Sequence, residues 1–148
     1  MESDNYATIQ DVPKPDMTWL IGRTIIEVEK SDYSWCFILD DGSRISTESA
    51  WRLVTAKGIV VTSEDHGHPF GLPVPVNAAE RVTETVAQNP VSGFELRERT
   101  TDLVIHFAND ASIEFMNISC GYESWRTVHG EQEVICMGGG GFTEIGRS

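Results

Sequence analysis

Basic side chains, cysteines and long apolar runs are all scarce in this chain of 148 residues. Lysine and arginine together number 11 against 23 aspartates and glutamates, a formal net charge of −12. A field of that sign repels phosphate backbones and anionic bilayers and attracts basic partners, which argues against nucleic-acid and membrane binding. The three cysteines, Cys36, Cys120 and Cys136, are an odd number without paired spacing, which argues against a disulfide framework. Cys36 and Cys136 stand in apolar runs, where free thiols behave as small hydrophobes. No apolar stretch approaches the ~20 residues of a membrane span. The acidic start, with Glu2, Asp4, Asp11 and Asp16, lacks the basic-then-apolar order of a secretory signal. These absences together predict a cytoplasmic protein with reduced thiols.

What is present is β grammar. Short runs rich in Ile, Val, Phe and Trp predict strands over 24–30, 34–39, 43–48 and 58–62, and again over 94–99, 102–108, 111–118 and 133–137. Alternation puts Trp35, Phe37 and Leu39 on one face, continued by Ile45 and Thr47 across an Asp41-Gly42 hairpin turn. Leu103, Ile105 and Phe107 repeat that face before a turn at Asn109-Asp110. Between the halves, Asn77 as N-cap, Glu80 three residues on, and Ala78, Ala79, Val82 and Val86 at helical spacing predict one helix, stopped by Asn89-Pro90.

The two halves echo each other. Phe37, Leu39 and Ile45 match Ile105, Phe107 and Ile113 at an offset of 68; Trp51-Arg52 matches Trp125-Arg126 at 74, and Gly22 matches Gly93 at 71. The expected architecture is mainly β with one helix (α+β). Two related antiparallel units from an internal duplication, 18–63 and 91–137, are joined by a loop and helix over 64–90 and packed as a sandwich or a partly closed barrel. Residues 1–17 are expected to be a poorly ordered extension of a single domain that ends at 142.

Candidate chemistry is sparse. Asp65-His66-Gly67-His68 places two imidazoles two residues apart in a Pro- and Gly-rich loop over 63–75, a spacing that can chelate a metal. A metal-dependent hydrolase built on His66 and His68 needs a third ligand and a base, for which Glu64, Asp65 and His129 are available; the competing reading is a solvated loop. Cys120-Gly121 is the candidate exposed thiol, but no Lys or Arg stands within five residues to activate it. The run Gly138–Gly141 is followed by neither a helix nor Gly-Lys-Ser/Thr, so it reads as a linker or a close backbone approach and not as a phosphate loop. No catalytic residue, cofactor or oligomeric state follows from these patterns, and the chain reads as non-enzymatic.

The aromatic residues are more informative. Trp51-Arg52 and Tyr122-Glu123-Ser124-Trp125-Arg126 occupy matching places in the two halves. One reading makes each Trp a core plug and each Arg the partner of a nearby carboxylate. The other makes Trp51, Arg52, Tyr122, Glu123, Trp125 and Arg126 anchors of a binding surface, since Trp, Tyr and Arg dominate interface hot spots.

The order Gly22, Asp41-Gly42, Trp51-Arg52, with its echo in Gly93, Asn109-Asp110 and Tyr122–Arg126 and a closing Gly-rich segment, resembles a family of small acidic bacterial proteins of unassigned function over roughly residues 18–142. More loosely, it is similar to the immunity proteins encoded beside polymorphic toxins. The resemblance implies a cytoplasmic β-rich protein that works by binding, and it carries over no catalytic residue. The leading expectation is a protein-binding protein, concretely an immunity-type inhibitor that turns an acidic surface toward a basic partner. The alternative is a small-ligand binder with a cavity between the two units.

Overall fold

Strands form where the sequence alternates, because every second side chain then has a dry face to enter. The computed structural model describes residues 7–12 and 14–147. Its elements, in chain order, are β1 (Ala7–Val12), β2 (Ile25–Lys30), β3 (Trp35–Leu39), β4 (Arg44–Thr47), β5 (Trp51–Thr55), β6 (Gly58–Thr62), α1 (Ala78–Val86), β7 (Val91–Leu96), β8 (Leu103–Phe107), β9 (Ser112–Phe115), β10 (Trp125–His129), β11 (Gln132–Cys136) and β12 (Phe142–Arg147), with one 3-10 turn at Thr18–Leu20. Trp35, Phe37, Leu39, Ile45 and Thr47 all face the core, as do Leu103, Ile105 and Phe107.

The strands make two antiparallel sheets, ordered β1-β12-β11-β10-β4-β3-β2 and β6-β5-β9-β8-β7. The fold is thus a mainly β sandwich with one helix. Its halves are not the two stacked units expected from the sequence. Each half gives its first three strands to one sheet and its last hairpin to the other, because the connections over 48–50 and 116–124 pass from one sheet to the other at the end of the sandwich instead of folding back. Starting from β2 and from β7, the paths β2-β3-β4-β10-β11 and β7-β8-β9-β5-β6 coincide.

The registers agree in detail. Phe37 faces Ile45 as Ile105 faces Ile113, and Trp125 faces Thr47 as Trp51 faces Phe115. Both outer strands carry an irregularity in the same place, between Ile25 and Glu27 and between Val91 and Gly93. This pairing aligns Ile25 with Val91, so Gly22 corresponds to Gln88 and not to Gly93, and both take left-handed backbone (φ +88° and +62°). Likewise Asp110, at φ +67°, stands in its turn where Gly42 stands at +87°. An aspartate tolerates that region better than most residues, so the second hairpin closes without a glycine.

Helix α1 opens on Asn77, whose Oδ1 accepts the Glu80 N–H at 3.0 Å, and it buries Ala78, Val82 and Val86. It packs against β2 and β6, one edge strand from each sheet. The segment 1–17, expected to be a poorly ordered extension, supplies β1 against β12 and the fully buried Met17. Residues 1–6 and Pro13 of that segment lie outside the described residues. At the other end β12 runs on to Arg147, past the expected boundary at 142. Among the described residues no helix is long and apolar enough to cross a membrane.

Candidate functional site

Trp51 and Trp125 open β5 and β10, and parity sends each inward with Leu53 and Thr127, so both are 0% exposed. Trp51 meets Trp35 and Phe37 edge-on, with ring centroids 5.1 and 5.2 Å away. The Trp125 Nε1–H donates to the Thr101 carbonyl at 3.0 Å. The next residue of each pair points outward. Arg52 Nε lies 2.7 Å from Glu114 Oε1, and Arg126 reaches Glu123 at 3.1 Å and Glu133 at 2.9 Å. The two arginines therefore sit on opposite outer faces of the sandwich. The core-plug reading describes these residues, and neither tryptophan can anchor a partner.

Tyr122 and Glu123 remain, in the connection from β9 to β10. Tyr122 is 82% exposed and Ile118, four residues earlier, 69%. With Glu48, Ser49, Ser119, Glu123 and Ser124 they line an open cleft of about 480 Å³. A second cleft of about 260 Å³ shares Glu48, Glu123 and Ser124 and extends past Arg126 to Ser34, next to the exposed Tyr33 of the β2–β3 turn. Apolar and phenolic groups, carboxylates and serines thus meet at one end of the sandwich.

This turn is held, not loose. Ser119 Oγ accepts the N–H groups of Gly121 and Tyr122 (3.1 and 2.9 Å), and Ser49 Oγ donates to the Met116 carbonyl at 2.8 Å. Asn117 Nδ2 donates to the Thr100 and Met137 carbonyls and to Thr101 Oγ1, tying three loops together at 3.0–3.2 Å. The glycine run is the expected close approach. Gly139 N–H donates to the Ser119 carbonyl at 2.8 Å, and a Cβ on Gly138 would stand 2.5 Å from the Gly121 backbone.

His66 is structural. Its Nδ1 accepts the Ala78 N–H at 3.0 Å, taking up one of the donors left free at the start of α1, and its ring meets Trp35 edge-on at 5.2 Å. His68 lies instead against Phe70, with centroids 5.6 Å apart. Among the described residues no group of three or more His, Cys, Asp or Glu is placed to hold a metal ion.

No protein-family model, curated protein or solved structure matches this chain.

Two further histidines carry constellations that the sequence reading missed. His106 Nδ1 meets Ser112 Oγ at 2.9 Å and its Nε2 meets Glu95 Oε2 at 2.7 Å, a serine–imidazole–carboxylate chain across three strands. The signal was available: Ser112 and His106 pair across the Asn109-Asp110 hairpin. Nucleophilic catalysis also needs donors aimed at a developing oxyanion. Here β9 is paired on both sides, with β5 and β8, and the chain lies on an open sheet face, so backbone donors are already committed. The Cys36 and Cys136 thiols are pushed upward in pKa, mainly by burial, which keeps them protonated and unreactive.

At the opposite end of the sandwich, His129 Nδ1 meets Ser43 Oγ at 2.8 Å and lies 3.7 Å from Asp41 Oδ2, with its ring stacked on Trp19 at 4.5 Å. Serine and carboxylate share one nitrogen, so no relay runs through the ring. Burial raises the Asp41 pKa, but the Ser43 N–H and hydroxyl, with Arg23 and His129 behind them, outweigh burial and leave it below the ordinary carboxylate value. A folded pKa below the unfolded one gives stability that is complete above the unfolded value of ~3.9 and is lost as pH falls through the depressed folded value. Asp41→Asn keeps the acceptor for Ser43 and loses the charge. Urea midpoints measured from ~pH 6 downward should therefore fall less steeply for this variant than for the wild type. Parallel curves would show that Asp41 contributes nothing to acid sensitivity.

Proposed function

We propose that this is a protein-binding protein whose partner is basic, docking on the turns at the Tyr122 end of the sandwich. The observation that carries the reading is the exposed pair Ile118 and Tyr122 with Glu48 and Glu123 beside it, on a turn that is pre-organised by Ser119 and Asn117, and with the exposed Tyr33 next in the chain to Ser34 of the adjoining cleft. Tyrosine and serine on rigid turns supply contact area at small entropy cost, as in loop-built binding sites on other sandwiches. The excess of 12 acidic charges adds long-range attraction for a cationic surface. In its most concrete form the protein is an immunity-type inhibitor, capping a basic toxin.

The test is capture of partners on immobilised wild-type protein and on the Tyr122→Ala and Glu48→Lys/Glu123→Lys variants, at low and high salt. One basic protein should be recovered at low salt by the wild type and lost with either variant. Its association rate should fall about tenfold or more between low and physiological ionic strength. A salt-independent rate removes the steering argument, and a partner that ignores all three substitutions removes the site.

A further inference from the structure

The flank where β6 meets α1 carries a second surface. Pro69–Pro75 is a knob with a closed neck: Gly67 N–H donates to the Val76 carbonyl at 2.8 Å and Val76 N–H to the His68 carbonyl at 2.9 Å. Leu72 N–H closes an inner turn onto the Pro69 carbonyl at 2.7 Å, and Pro73 and Pro75 stiffen the return. The side chains it displays are apolar: Phe70 is 64% exposed, Leu72 47% and Val74 71%. Phe70 holds left-handed backbone at φ +44°, a region that bulky residues leave unless the surroundings enforce it. Beside the knob lies a cleft of about 390 Å³ lined by Val60, Asp65, Phe70, Leu72, Val76 and Arg81. It borders β6, an edge strand that exposes Ile59.

We infer that this flank is a two-fold contact between two copies of the chain. Charge selects the occupant. Copies that each carry −12 repel one another except where the surface is locally balanced, and Pro69–Ala79 holds no charged side chain. The cleft itself holds one acid and one base. Asp65 is bonded to the Thr62 N–H at 2.9 Å, and Arg81 reaches the Val60 carbonyl but forms no ion pair among the described residues. A basic partner would leave Arg81 facing its own sign, and an acidic one would do the same to Asp65. A second copy turned about a two-fold sets Asp65 against Arg81 twice. It also brings a knob to each cleft, which is the self-complementarity an isologous contact requires.

The experiment is sedimentation equilibrium on the full chain at micromolar concentrations. The wild type should be a reversible dimer. Phe70→Ser, a change at an exposed position, should weaken dimerisation about tenfold or more, while its melting temperature at a dilution where both proteins are monomeric stays that of the wild type. Asp65→Arg and Arg81→Asp should each be monomeric, since each places like charges together at both contacts. Mixed in equal amounts they should regain a dimer, seen as a heterodimer by native mass spectrometry, because each then supplies the sign the other lacks. A wild type that stays monomeric overturns the inference, including the case where the knob instead binds zwitterionic lipid vesicles. So does a dimer that Phe70→Ser and Arg81→Asp leave intact, or a mixture that stays monomeric. The contact is independent of the Tyr122 surface, so Tyr122→Ala leaves the dimer unchanged.

Discussion

Trp125→Phe should cost about 1–2 kcal/mol more than Trp51→Phe, although the two tryptophans hold matching places in the fold and are equally buried. Each substitution removes the same ring volume from a packed interior, a loss of about 1–3 kcal/mol. The difference lies in the indole nitrogen. The Trp125 N–H donates to the Thr101 carbonyl at 3.0 Å, and its removal leaves that acceptor with only the weak Cys136 thiol at 3.6 Å. Trp51 Nε1 is buried with no hydrogen-bond partner, so Trp51→Phe also removes an unsatisfied donor and recovers part of the packing loss. Paired urea titrations with equal slopes would measure the difference. Equal costs, or a larger one at Trp51, would show that ring packing and not the polar atom sets the stability of these sites.

How this core was legible, and where legibility stopped, follows from the range of the forces involved. Trp35, Phe37, Leu39 and Ile45 declare their face through alternation within a few residues, and Asn77 with Glu80 declares a helix start in the same local way. The exchange of hairpins between sheets has no local signature. Whether β5 joins β4 or β9 depends on partners more than sixty residues away, and on a three-residue connection that passes from one sheet to the other. β1 and β12 were missed for the same reason: β1 is a strand because β12 is beside it, and β12 because β11 and, from the other end of the chain, β1 flank it.

The site shows the same limit. Trp51-Arg52 and Trp125-Arg126 drew attention by composition, yet parity with Leu53 and Thr127 buries one member of each pair. Tyr122 could be named from the sequence, whereas Ile118 and Glu48 joined it in one cleft only when the connections 48–50 and 116–124 met. The Ser112–His106 pair was missed although hairpin spacing signals it, Glu95 joins it only through the fold, and its lack of reach for a substrate follows from the pairing of β9 on both sides.

The second large effect concerns the glycine run. Gly140 takes φ +106°, and a Cβ there would come inside 3.0 Å of the Arg99 carbonyl oxygen, so strain and overlap act together. Gly140→Ala should cost roughly 3–5 kcal/mol. Gly22→Ala, at φ +88° with nothing within 4 Å of the added carbon, should cost only the backbone term of about 1–2 kcal/mol. Gly138→Ala separates stability from function. Its Cβ would press on the Gly121 backbone, and Gly121 stands beside Tyr122 in the turn that Ser119 organises. The proposed binding surface should then shift while the Trp35–Trp51–Phe37 core stays in place. Under conditions where Gly138→Ala is still folded, the tryptophan emission maximum should match the wild type, and capture of the basic partner should drop about tenfold, as for Tyr122→Ala. Undiminished capture would mean that the arrangement of this turn does not matter to binding, and the site would then have to be sought on the acidic outer faces of the two sheets.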